Sequence, residues 1–169
     1  SFKYEIPQIF EDELFLGGAV AVPYKEKIIN FTHNKKEILD GPQAVNCLVR
    51  NEDKLFGYNT DGIATVSILE KKIKMNNLEQ IILLGTGGMA KAVASELSKK
   101  YSKINMYIFD RYLNCLIFKN GELKKTKHRL DRSLNTILIN CSSAGFINNV
   151  KIGKINKQIL ELHPFLIQN

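Results

Sequence analysis

Apolar and polar positions change rhythm several times along this chain of 169 residues, and the changes mark its elements. Gly17-Gly18-Ala19-Val20-Ala21-Val22 is a small and apolar run that predicts a buried strand. Pro23 then opens a short helix predicted over Tyr24 to Phe31, because its missing N–H costs nothing in a first helical turn. A second short helix is expected over Lys35 to Leu39. Two strands follow, Asn46–Arg50 and Lys54–Tyr58, joined by a tight turn through Glu52-Asp53. From Thr60 to Lys74 the apolar residues Ile63, Val66, Ile68, Leu69 and Ile73 recur at helical spacing. The polar or small residues Asn59-Thr60-Asp61-Gly62 begin that helix, and Asp61 is suited to cap it.

After Asn76-Asn77 the pattern becomes one of strands alternating with a helix. Gln80–Leu84 reads as a strand, Gly87–Lys100 as a helix, and Ile104–Phe109 and Thr136–Asn140 as strands. That alternation predicts an α/β fold with a parallel sheet covered by helices. Residues 110–134 give no clear pattern. Two lobes are expected, an N-terminal α/β lobe over residues 1–68 and a nucleotide-binding lobe with a parallel sheet over residues 69–169. There is no internal repeat.

The bulk numbers narrow the classes. A hydrophobic fraction of 44% is ordinary for a globular core. The longest apolar runs, such as Ile81-Ile82-Leu83-Leu84, fall far short of the ~20 residues that span a bilayer. The start, Ser1-Phe2-Lys3-Tyr4-Glu5, is not a secretory signal pattern. Cys47, Cys115 and Cys141 are too scattered for a metal pair or a disulfide framework, which suits a reducing cytoplasm. The net charge is +7, from 24 basic and 17 acidic residues. Its basic clusters, such as Lys99-Lys100-Lys103, lack the interleaved aromatics of a nucleic-acid platform and read as solvated faces. No nucleic-acid, membrane or metal partner is expected, and oligomeric state is not legible. His33, His128 and His163 stand singly and receive no role.

Ile81-Ile82-Leu83-Leu84-Gly85-Thr86-Gly87-Gly88-Met89-Ala90-Lys91-Ala92 is a strand, a glycine turn and a helix in succession. It is a variant of the dinucleotide fingerprint. Gly85 permits the tight turn, Gly87 lets backbone N–H groups approach a pyrophosphate, and Gly88 or Ala92 lets the helix pack closely on the strand. The helix N-terminus adds partial positive charge for the anion. The second strand ends at Asp110, about 25 residues after the first glycine, where an acid commonly contacts the ribose. Asp110 favours a free 2′-hydroxyl, as in NAD, whereas Arg111 beside it suits the 2′-phosphate of NADP.

The blocks "GGAVAVPYKEK", "QAVNCLV", "GYNTDGIA", "LLGTGGMAKA" and "INCSSAG" occur in this order from about Gly17 to Gly145. Together they resemble the shikimate dehydrogenases. The resemblance implies a substrate lobe, a Rossmann-like NADP lobe and a cleft between them. Lys25 would be the catalytic lysine, Asp61 its partner, and Asn46 a substrate-contacting asparagine, with Lys25 and Asp61 also touching the substrate. Cofactor contacts would come from Gly85, Thr86, Gly87, Gly88, Met89 and Ala90, from Asp110 and Arg111, and from Cys141 and Ser142. The implied reaction is reversible NADP(H)-linked reduction of 3-dehydroshikimate to shikimate, a polyol acid, in chorismate and aromatic amino-acid biosynthesis. The residue types suit it. A lysine ammonium can donate a proton to a developing alkoxide and stabilise its charge, and an aspartate can hold that lysine.

The chain also departs from the pattern. Ala19 and Ala21 stand where the family strand carries Asn and Thr, and Gln43 and Cys47 where Gly and Thr are common. Ser1 begins after the family's first element, and Leu162-His163-Pro164-Phe165 ends before its last ones, so the chain reads as shortened at both ends. Two alternatives follow: an NAD-using quinate or shikimate dehydrogenase relative, and a non-catalytic remnant.

Overall fold

The computed structural model describes residues 2–110, 112, 114–119, 122–127, 131 and 133–142.

 The N-terminal part begins with helix α1, Phe2–Glu11, followed by strand β1, Gly17–Ala19, and a 3-10 turn over Lys27–Phe31. Helix α2, Lys35–Asp40, and strands β2, Cys47–Asn51, and β3, Lys54–Tyr58, complete it. The three strands form an antiparallel sheet in the order β1-β2-β3. Ile28, Ile29, Ile38, Val45, Leu48 and Leu55 make its core, and Ile6 and Phe10 of α1 pack against it.

Two expectations need correction here. The run Gly17 to Val22 is not a buried six-residue strand. Only Gly17–Ala19 pairs, all three residues are exposed, and Val22 is 77% exposed. Among the described residues β1 is a sheet edge with β2 as its one neighbour, and the chain turns away from it over residues 22–26. Likewise Tyr24–Phe31 is no continuous helix: residues 22–26 form turns before the 3-10 segment. Helix α1 had no signal in the sequence reading, because Pro7 sits inside it and removes a backbone donor.

Helix α3, Asp61–Lys72, leads to the second sheet. Strand β4, Gln80–Leu84, is followed by helix α4, Gly88–Lys100, and strand β5, Asn105–Phe109. Strands β6, Cys115–Lys119, β7, Glu122–Lys125, and β8, Thr136–Asn140, follow. The sheet order is β7-β6-β5-β4-β8. β5, β4 and β8 are parallel, as the alternating pattern predicted, but β6 and β7 are antiparallel. The sheet is therefore mixed. Residues 110–114 are too few for the crossover that a parallel neighbour of β5 needs, so the chain turns back as a hairpin. The fold is α/β, and every residue of β4 is buried, as expected for a central strand covered on both faces.

Val66 of α3 joins Ile81, Leu83, Val93, Leu97 and Ile108 in the second core. α3 and α4 cross closely: a Cβ at Gly62 would lie 2.4 Å from the Ala92 carbonyl oxygen. Among the described residues no helix is long and apolar enough to cross a membrane.

Candidate active site

The chain leaves β4 for β5 on one side and returns as β8 on the other, so a crevice forms at the carboxyl end of β4. Open α/β sheets bind ligands at such a switch point. Gly85 turns there with φ +105°, a conformation that favours glycine. Its N–H donates to the Phe109 carbonyl at 2.8 Å, and Cys141 N–H donates to the Leu84 carbonyl at 2.8 Å. A Cβ on Gly85 would meet the Cys141 carbonyl at 3.1 Å, so both sides of the crevice press on this turn.

Gly87 caps α4 in an extended conformation, and a Cβ there would meet nothing within 4 Å. The first-turn N–H groups of a helix have no partner within it, so this open corner has donors that an anion could use. Ala90 is fully buried and Met89 packs on the second core, so each can offer a ligand its backbone rather than its side chain. Gly88 differs from expectation. It accommodates the first lobe, not the strand: its Cβ would lie 2.9 Å from Ala44 Cβ and 3.4 Å from Lys25 Cβ. Ala92 similarly serves the crossing with α3 through its carbonyl.

Gly88 thus brings the glycine turn against Lys25. Lys25 Nζ donates to Asp61 Oδ2 at 2.5 Å, with the two side chains 18% and 23% exposed. Asn46 Nδ2 donates to Asp61 Oδ1 at 2.7 Å and to Thr60 Oγ1 at 2.9 Å, while Asn46 Oδ1 accepts from Thr60 N–H at 3.0 Å. Asn46 therefore fixes Asp61 as well as standing beside it. Val45 N–H donates to the Lys25 carbonyl at 2.8 Å, tying the lysine segment to the residues just ahead of β2, Asn46 among them.

Asp61 does not use its carboxylate as a helix cap. Asn59 takes that place, its Oδ1 accepting from Asp61 N–H at 3.0 Å and Gly62 N–H at 3.4 Å. Asn59 Nδ2 reaches the Ala44 carbonyl at 3.0 Å, which anchors the loop to the first lobe. The sequence signal for this was present in the asparagine two residues ahead of the helix. Gln43, where glycine is common in the resembling family, takes φ +52°. That conformation costs an L-residue roughly 1–2 kcal/mol.

Asp110 is drawn into the hairpin turn after β5. Its Oδ1 accepts from Tyr112 N–H at 2.8 Å and Asn114 N–H at 2.9 Å, and its Oδ2 from Asn114 Nδ2 at 2.8 Å. Partial burial pushes the carboxyl up, but the bonds from Asn114 and Tyr112, with Lys125 nearby, outweigh it and hold the group below its ordinary value. Burial pushes the Cys141 thiol up to about 12, so it is neutral packing and not a nucleophile. Ser142 Oγ and N–H both donate to Asn140 Oδ1, at 2.7 and 3.0 Å. Arg111, His128, Ser143 to Gly145, and the segment of His163 lie outside the described residues. Among the described residues no group of three or more His, Cys, Asp or Glu could hold a metal.

No protein-family model matches the chain. It is similar to the shikimate dehydrogenase (NADP(+)) of Staphylococcus haemolyticus, at 32% identity over 155 residues, covering 86% of this chain and 55% of that enzyme. The Pyrococcus furiosus shikimate dehydrogenase (NADP(+)) is 42% identical over 83 residues, covering 49% of this chain and 30% of that one. Among solved structures, a shikimate dehydrogenase in complex with NADP+ matches with TM-score 0.66 and 27% identity, over 88% of this chain and 55% of the other. The Thermus thermophilus enzyme, solved with NADP(H) and shikimate, matches with TM-score 0.62 at 20% identity, over 85% of this chain and 54% of the other, and bears on the fold alone. The chain spans about half the length of the curated relatives it matches. Over the stretch they share, the chain is a relative of the shikimate dehydrogenases.

Proposed function

We infer that this chain carries the lysine–aspartate centre and the nucleotide loop of an NADP-linked shikimate dehydrogenase. The observation that carries the reading is the 2.5 Å Lys25–Asp61 pair, set against the glycine turn through Gly88. Residues 1–68 would present the polyol acid and residues 69–169 the nucleotide, with the division falling inside α3.

A bound nicotinamide would accept hydride from the ring carbon of shikimate or return it to the ketone of 3-dehydroshikimate. In the reducing direction Lys25 gives its proton to the oxygen that gains negative charge. In the oxidising direction it takes that proton back. Asp61 keeps the ammonium in place, and Asn46 and Asn59 keep Asp61 in place. The ammonium has three N–H donors and Asp61 accepts one, which leaves donors for a substrate oxygen.

The pyrophosphate fits the open corner at Gly87 and the first-turn amides of α4. NADP is favoured over NAD for two reasons. The curated relatives are NADP(+) enzymes, and the oxygens of Asp110 are already engaged by its own turn rather than held out for a ribose diol.

Gly87→Val tests the nucleotide part. An added Cβ meets no atom within 4 Å, so the melting temperature should stay within about 2 °C, while NADPH affinity, followed by nucleotide fluorescence, should fall more than tenfold. Unchanged affinity in the variant would remove the pyrophosphate from this corner.

A further inference from the structure

Lys91 and Glu26 form an ion pair that nothing in the proposed chemistry uses. Lys91 Nζ lies 2.5 Å from Glu26 Oε2, with side-chain exposures of 21% and 45%. The two residues come from different parts of the molecule. Lys91 is on α4, one turn beyond Gly88, and Glu26 follows Lys25 directly. Gly88, Lys91 and Ala92 share one side of α4, since residues three and four apart lie together on a helix. Gly88 meets Lys25 and Ala44, Ala92 meets Gly62, and Lys91 meets Glu26.

We propose that the Glu26–Lys91 pair is a latch that positions the Lys25 segment against the nucleotide-binding turn of α4. Lys91 is thereby a positioning residue, not a catalytic one. Beside the pair, the Lys25 segment meets α4 directly through the small contact at Gly88 and indirectly through Asp61 at the start of α3. A misplacement of about 1 Å in such a cleft costs on the order of a hundredfold in rate, so a modest electrostatic contact here has leverage on turnover. The catalytic consequence rests on the dehydrogenase reading, but the latch itself does not.

Hydrogen exchange on the full chain reads the latch without turnover. Ile28 N–H is held by the Tyr24 carbonyl and Val45 N–H by the Lys25 carbonyl, so their amides report the order of this segment. Lys91→Gln and Glu26→Gln should each speed exchange at these amides about threefold, in keeping with a partly exposed pair. Amides of β4 should be unaffected. The double exchange Glu26→Lys with Lys91→Glu should restore the slow rate. Equal rates in wild type and both single variants would overturn the latch, as would a double variant that is worse than either. For catalysis, the single variants should lower kcat about three- to tenfold with the KM for shikimate unchanged. Faster exchange with unchanged kcat, in a wild type that turns over, would overturn the positioning role. A wild type without turnover would remove the dehydrogenase reading and leave the latch to the exchange result.

Discussion

Lys25→Met should lower kcat for shikimate oxidation by about 10²- to 10⁴-fold, the usual contribution of a positioned acid–base group. That range corresponds to roughly 3–5 kcal/mol of transition-state stabilisation. Methionine keeps most of the side-chain length, so the backbone bond from Val45 N–H to the residue 25 carbonyl remains. Asp61 keeps its bond from Asn46 at 2.7 Å, so the loop should hold its shape. The melting temperature and NADPH affinity should therefore change little, and the loss should sit in kcat. Initial rates of nicotinamide absorbance, taken with a thermal melt, check both. A kcat within tenfold of wild type would take the proton step away from Lys25.

Gly62→Ala has the largest expected effect on stability. The new methyl would lie 2.4 Å from the Ala92 carbonyl oxygen and 2.8 Å from its carbon. Those are backbone atoms of α4, and they cannot rotate away as a side chain could. Relief requires α3 and α4 to move apart, which disturbs the contacts of Val66 with Val93 and Leu97. Overpacking of this kind costs about 1–3 kcal/mol, or a fall of roughly 3–10 °C in melting temperature for a domain of this size. Turnover should fall as well, because α4 carries Gly88 against Lys25. A Gly62→Ala protein that melts with the wild type would contradict the close crossing.

The parts of the fold that could be read in the sequence are those where local pattern and tertiary role agree. Gln80–Leu84 is apolar from Ile81 on and wholly buried, and the glycine turn after it marks both its end and the start of α4. Thr136–Asn140 was legible from its apolar centre, Ile137-Leu138-Ile139, although the strand is only half-buried. Residues 115–125 were not, because β6 and β7 lie outside the parallel set and are only partly covered. The run Gly17–Val22 misled in the opposite sense: its residues suggest burial, but the edge strand Gly17–Ala19 and Val22 are exposed, and Val20 is only half-buried against the first core.

In the candidate site, the resemblance pointed to Lys25 and Asp61, but not to how they are held. That Asn59 caps α3 and frees Asp61 for Lys25 depends on a loop geometry that spacing alone does not specify. The Glu26–Lys91 pair was beyond reach for a plainer reason. Its members are 65 residues apart, and only the folded arrangement of the two lobes brings them together.

The central claim is that one cleft, formed by the Lys25–Asp61 pair and the glycine turn, transfers hydride between shikimate and NADP. It is tested most directly by mixing the purified chain with shikimate and NADP and following the absorbance of the reduced nicotinamide. The account predicts turnover with NADP, slower turnover with NAD, and loss of both in Lys25→Met. A folded chain that binds NADPH yet turns over shikimate with neither nucleotide would contradict it.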